Sequence, residues 1–133
     1  MREVVLDASV VLKWIRSENE RHLEPALELR RGFEGGELHV LAPPLLWLEV
    51  VNVAARGWHW DEGKLTELAS TLPELGFEIV EPELESVAHW CSEGLTSYDA
   101  AYVTVAEGAG VNLVTDDMQI VAAAPEIALA LSD

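Results

Sequence analysis

Val4-Val5-Leu6-Asp7-Ala8-Ser9 stands almost at the N-terminus and sets how the remaining sequence is read. Three apolar residues, then an aspartate, then a small polar turn describe a buried strand that ends on a carboxylate. An uninterrupted apolar run fits a central parallel strand covered on both faces, because a half-exposed strand would alternate. Asp7 then lies at the carboxyl end of that strand, where open α/β sheets place their ligands.

Working outward from this strand, apolar runs and helical patterns alternate. Val10 to Ile15 reads as a short helix entered directly from the strand, and Glu24 to Arg31 as a second, ended by Gly32, Gly35 and Gly36. Leu38 to Leu41 is a strand. Pro43-Pro44 opens a helix to about Arg56, stopped by Gly57. Asp61 is a good N-cap for a helix from Glu62 to Leu72. Phe77 to Val80 is a third strand, and Pro82 opens a helix to about Glu93. Thr96 or Ser97 caps a helix to Glu107, ended by Gly108 and Gly110. Val111 to Val114 is a fourth strand, and Ile127 to Leu131 a fifth, at an edge. Short loops between alternating strands and helices imply a three-layer α/β/α sandwich on a mainly parallel sheet of four or five strands, with right-handed crossovers.

The 133 residues fit one domain spanning 1–133, with enough core to fold without disulfides or structural metal. Half the residues are hydrophobic, yet no apolar run approaches the roughly 18 that span a membrane. The N-terminus enters a strand at once rather than a basic, then apolar, leader, so no signal peptide is expected. One cysteine, Cys91, agrees with a reducing compartment, and a cytoplasmic location is expected. Eight basic against 24 acidic residues give a formal charge of −16. Such a chain repels polyanions, so any nucleic-acid chemistry would need divalent cations or a local basic strip.

Four acids draw attention, each with a plainer structural reading beside it. Asp117 parallels Asp7, following the strand Leu113-Val114 and the hinge Thr115-Asp116; both aspartates would face one crevice if their strands are neighbours across the switch point. Either residue alone reads equally as the cap of the next helix. Asp116 is the better cap of the adjacent pair, which leaves Asp117 for the cleft, although the reverse assignment stays open. Glu49 sits on a helix, Leu45 to Ala55, that is apolar nearly all round and so expected to be largely buried. Glu49, Asn52 and Arg56 form its one polar stripe, either a solvent face or a placement of Glu49 toward a cation. Asp99 lies in Thr96-x-x-Asp99, which has the form of a capping box, while Ala100 and Ala101 suggest close packing that brings Asp99 to the edge of the sheet.

Val5-Leu6-Asp7-Ala8-Ser9, Pro44 with Leu48-Glu49-Val50-Val51-Asn52, Tyr98-Asp99-Ala100-Ala101-Tyr102 and Leu113-Val114-Thr115-Asp116-Asp117 occur in that order over nearly the whole chain. In these four motifs the sequence resembles the PIN-domain family, and within it the VapC-type toxins of toxin–antitoxin pairs. The resemblance implies a small metal-dependent ribonuclease with an acidic quartet of Asp7, Glu49, Asp99 and Asp117 as catalytic and metal-holding residues. It also implies Mg²⁺ as cofactor, with Mn²⁺ able to substitute. Ser9 and Thr115 would orient carboxylates or water, with Asn52 and Asp116 in support, and the family's spacing from Thr115 favours Asp117 over Asp116. Hard divalent cations prefer such oxygen ligands and can activate water near neutral pH, so neither a histidine base nor a nucleophilic serine is required. The implied partners are an RNA substrate, a cognate antitoxin laid across an apolar groove with an arginine in the acidic site, and a second copy in a homodimer; no membrane is involved.

VapC-like chains often carry basic residues directly after the last acid, where Met118 and Gln119 stand here. Lys13 and Arg16 are the best candidates to meet phosphate, because they follow Asp7 closely. Trp58 and Trp60 flank His59; such rings can stack on unpaired bases, but packing against the core or a partner is the reading taken. His89-Trp90-Cys91 is too sparse for zinc. Two rivals remain: a non-catalytic interaction protein on the same fold, and another Mg²⁺-dependent phosphoryl hydrolase such as a phosphatase. The second is weakened by Ser9, which occupies the place two residues beyond Asp7 where such enzymes usually carry another acid.

Overall fold

The structure is a computed structural model and describes residues 1–18 and 20–132. Strand β1 (Arg2–Leu6) is followed by helices α1 (Ala8–Ile15) and α2 (Leu23–Glu34), and β2 (Leu38–Ala42) by α3 (Leu45–Arg56) and α4 (Glu62–Thr71). After a short 3₁₀ turn come β3 (Glu78–Ile79), α5 (Leu84–Ser92), α6 (Ser97–Ala109), β4 (Asn112–Thr115), α7 (Met118–Ala123) and β5 (Ala128–Ala130). The five strands form one sheet in the order β3-β2-β1-β4-β5, and every pairing is parallel. The α/β sandwich expected from the sequence is therefore present, with all five strands.

β1 lies at the centre. From it the chain moves outward through β2 to β3, then crosses to β4 on the other side and on to β5. With right-handed crossovers, this reversal puts α1 to α4 on one face and α5 to α7 on the other. It also makes the β1–β4 boundary the switch point of the sheet, with Leu6 in register with Val114. Val4, Val5 and Leu6 are fully buried, as the apolar run required. On the α1–α4 face, Trp14, Phe33, Phe77 and Trp47 form a chain of ring contacts 5.1–5.9 Å apart that joins the first three helices to the start of β3.

Three local expectations are revised. Helix α2 runs through Gly32 to Glu34, and α6 runs through Gly108 to Ala109. Of the glycines expected to end them, Gly36 and Gly110 make the turns, and their left-handed φ of 79° and 68° carries a steric penalty for other residues. Helix α3 is not largely buried: Leu46, Val50 and Ala54 form its inner stripe, while Leu48 is 74% exposed. Its apolar composition exceeds what one contact face can cover. Among the described residues, no helix is long and apolar enough to cross a membrane.

Candidate active site

Asp7 follows β1 directly and is 4% exposed. It caps α1, as the plainer reading held: its Oδ1 accepts from the Ser9 backbone N–H at 3.1 Å and from the Ser9 hydroxyl at 2.5 Å. Its Oδ2 accepts from the Thr115 hydroxyl, across the β1–β4 boundary, at 2.5 Å. Both hydroxyls then accept from the next turn, Ser9 from the Asp116 N–H at 2.9 Å and Thr115 from the Asp117 N–H at 3.0 Å. One carboxylate is thus wired through two hydroxyls to the backbone of the Asp116–Asp117 pair.

The other acids come from helices that meet this edge. Helix α6 runs into β4 and so points against the strands, which leaves its first turn, with Asp99, at their carboxyl ends. The Thr96 hydroxyl accepts from the Asp99 N–H at 3.1 Å, so the cap is real. Helix α3 leaves the carboxyl end of β2, which brings Glu49, in its second turn, to the same edge. Glu49 is half-buried and accepts a short hydrogen bond from the Tyr102 hydroxyl rather than pairing with Arg56. Asn52 and Arg56 lie on the exposed side of α3. Asp117, and not Asp116 as expected, caps α7, accepting from the Gln119 N–H at 2.9 Å.

Electrostatics joins the four acids. Burial pushes Asp7 up to about 6, against the pull of its Ser9 and Thr115 hydrogen bonds, and the charge of Asp99 adds to the rise. Glu49 is raised by burial and by Asp99, and Asp99 by burial and by Asp117. In every case the charge that adds to the rise belongs to another member of the quartet, so the four carboxylates are close enough to repel. Asp116 behaves differently. Burial would raise it, but hydrogen bonds and charge from His22 and Lys13 hold it below the ordinary aspartate range. Its Oδ1 lies 2.9 Å from His22 Nδ1 and its Oδ2 3.2 Å from Lys13 Nζ.

Lys13 departs from the phosphate-contact expectation. It is 4% exposed, and its ammonium is engaged by Glu20 at 2.9 Å, Asp116 and the Arg21 carbonyl at 2.6 Å. This cation braces the β4–α7 turn from beneath. Arg16 stays at the surface, its guanidinium carbon 5.4 Å from the centre of the Trp58 ring. Tyr102 was not among the residues singled out for the site, although it closes the motif Tyr98–Tyr102. It lies three residues beyond Asp99 and so on the same side of α6, a spacing that gives the one legible hint. Its hydroxyl donates to Glu49 and so ties α3 to α6. Burial and the Glu49 contact push its own pKa well up, so it stays a donor.

Among the described residues, no three His, Cys, Asp or Glu side chains close around one ion as they stand. The donor set is nonetheless that of a hard cation, carboxylate and hydroxyl oxygens only. Mg²⁺ needs one or two carboxylates and keeps much of its water. The residues present fit such an ion.

A family model described as the PIN domain matches residues 4–125. No curated protein matches the chain. Among solved structures, PAE2754 from Pyrobaculum aerophilum is similar at 25% identity and a TM-score of 0.64, over 98% of this chain and 91% of that one. FitAB bound to an IR36 DNA fragment aligns with a TM-score of 0.68 over 98% of this chain and 96% of that one, at 14% identity, a likeness of fold.

Proposed function

The chain belongs to the PIN-domain family, and from that premise we propose that it is a Mg²⁺-dependent endoribonuclease, with Mn²⁺ able to substitute, acting as the toxin of a VapBC-like pair. The observation that carries this reading is the convergence of Asp7, Glu49, Asp99 and Asp117 from four separate elements on one sheet edge, the first three raised by burial and further by a neighbouring acid. Packing alone gives no reason to gather like charges, whereas a bound cation offsets them.

Asp7, Asp99, Asp117 and Glu49 would hold the cation, which when bound supplies charge neutralisation and an activated water at the scissile phosphodiester. The protein's own groups prepare that chemistry. Ser9 and Thr115 fix both oxygens of Asp7, Tyr102 fixes Glu49, and the Asp116–Lys13 contact holds the turn that presents Asp117. Asn52, one turn beyond Glu49 on the exposed side of α3, faces the approach of a substrate. An antitoxin that supplies an arginine would neutralise the same acids, and a homodimer in the cytoplasm completes the reading.

The test is incubation of the purified chain, freed of antitoxin, with structured RNAs in Mg²⁺, Mn²⁺ or EDTA. Cleavage that stops with EDTA and with Asp7→Asn is the expected result. RNA left intact in both metals would overturn the ribonuclease. Turnover of a small phosphoester in its place would favour a phosphatase, and no metal-dependent turnover of any kind an interaction module.

A further inference from the structure

A cleft of about 460 Å³ opens beside the acids, and Ser9 and Asp117 belong to its lining. Its other wall is apolar: Leu12 from α1, Val53 from α3, Trp58 from the loop that follows and Met118 from the start of α7. Met118 is 58% exposed. We infer that this cleft is a subsite for one unpaired nucleobase adjoining the scissile phosphodiester, an inference that rests on the nuclease reading of the neighbouring acids.

Three observations lead there. The first is a division of chemistry: Ser9, Lys13, Glu20, Asp116 and Asp117 line one side of the cleft, suited to a cation and a phosphate, while aliphatic, thioether and indole groups line the other. In an RNA chain the base is the part that is flat and largely apolar on its faces. The second is charge. At −16 the chain has few cations with which to neutralise phosphate, and Lys13, the basic residue within the cleft, is engaged by Glu20 and Asp116. Affinity must then come from contacts that do not depend on phosphate neutralisation, and base–aromatic contact is one. Arg16, over the Trp58 ring, supplies a cation at the same wall.

The third is that the loop holds Trp58 in a fixed place. A Cβ on Gly57 would lie 2.9 Å from the Val53 carbonyl oxygen, closer than real structures allow, so glycine is needed for the sharp exit from α3. The Trp58 N–H donates to that same carbonyl at 3.1 Å. His59 follows with a left-handed φ of 57°, and Trp60 packs back on Trp58 with ring centres 5.1 Å apart. A constrained turn that ends on a half-buried indole at the edge of an acidic cluster is a constructed wall.

The test uses a labelled single-stranded RNA decamer and a set of copies that each lack one base, bound to the full chain with Ca²⁺ in place of Mg²⁺. Trp58→Ala is expected to weaken binding of the intact decamer about tenfold, with Trp58→Phe close to wild type. One abasic copy should bind the wild type as weakly, and lose nothing further on Trp58→Ala. Should Trp58→Ala unfold the chain, Met118→Ala at the exposed side of the cleft replaces it, with about threefold loss at the same position. RNA bound with such a position but left uncut in Mg²⁺ and Mn²⁺ would sink the nuclease and support the subsite. RNA cut while both variants bind every copy like the wild type would overturn the subsite and leave the nuclease standing. The same holds if the variants lose only inhibition by a partner protein, which would make the cleft a protein-docking groove. Failure of the wild type to bind the decamer at all would overturn both.

Discussion

Asp7 is subject to opposing demands on its ionisation. Ser9 and Thr115 favour the carboxylate, while burial and the charge of Asp99 favour the neutral acid, and the balance falls on the neutral side. A carboxyl raised from 3.8 to about 6 holds its proton more tightly when folded, so stability falls as pH rises from about 4 through 6 and is level beyond. At 1.36 kcal/mol per pH unit the full effect is about 3 kcal/mol. Asp7→Asn in EDTA should therefore gain at pH 8, by about 1–3 kcal/mol rather than the full effect because asparagine cannot accept from both hydroxyls as the carboxylate does, and gain nothing at pH 4. Urea melts at the two pH values measure this; an equal effect at both would refute the burial argument. Tyr102 works at the same scale. Tyr102→Phe leaves Glu49 without its donor and should cost about 1 kcal/mol, read from the same melts at pH 7.

At the scale of elements, the turn between β4 and α7 is the least regular part of the site and the most heavily braced. Helix α1 contributes both ends of the brace, with Ser9 accepting from the Asp116 N–H and Lys13 pairing with the Asp116 carboxylate. Removing one partner of a buried pair leaves the other desolvated, which costs more than the pair contributes net. Lys13→Met should destabilise the chain by about 1–3 kcal/mol, less than for a wholly buried pair because Asp116 retains 22% exposure. Adding Asp116→Ala should recover part of that loss. A double variant that loses the sum of both single effects would show that the two residues do not work together.

At the scale of the molecule, the reversal of strand order at β1–β4 gathers the acids, and the acidic surface sets their context. With net charge −16 and four carboxylates at one edge, the folded state should bind divalent cations better than the unfolded chain does. Mg²⁺ or Mn²⁺ at about 100 times its Kd would then add about 2.7 kcal/mol and raise the Tm by several degrees. Calorimetry of the wild type beside Asp7→Asn and Asp99→Asn checks this. An equal rise in all three would assign the effect to general surface charge.

The strands, a mainly parallel sheet and the PIN family were legible in the sequence, because burial and local turn chemistry are written into consecutive residues, whereas the strand order came from the fold. Val4 to Leu6 reads as a buried strand, and Thr96 and Asp7 stand where caps are expected. The sequence also carried the four acids, in the motifs around them. Tertiary structure alone decided how those acids are held. Asp116 and Asp117 are chemically identical in sequence, and a lysine more than 100 residues earlier separates them by binding one. Glu49 has Arg56 nearby on its own helix, yet its partner is Tyr102 on another. Lys13 looks like a surface cation by composition and is buried because three oxygen acceptors from distant or looped segments meet its ammonium. The aromatic wall beside the acids follows the same rule: Trp58 is legible as a loop tryptophan, while the cleft it lines with Leu12 and Met118 exists only once three helices have packed.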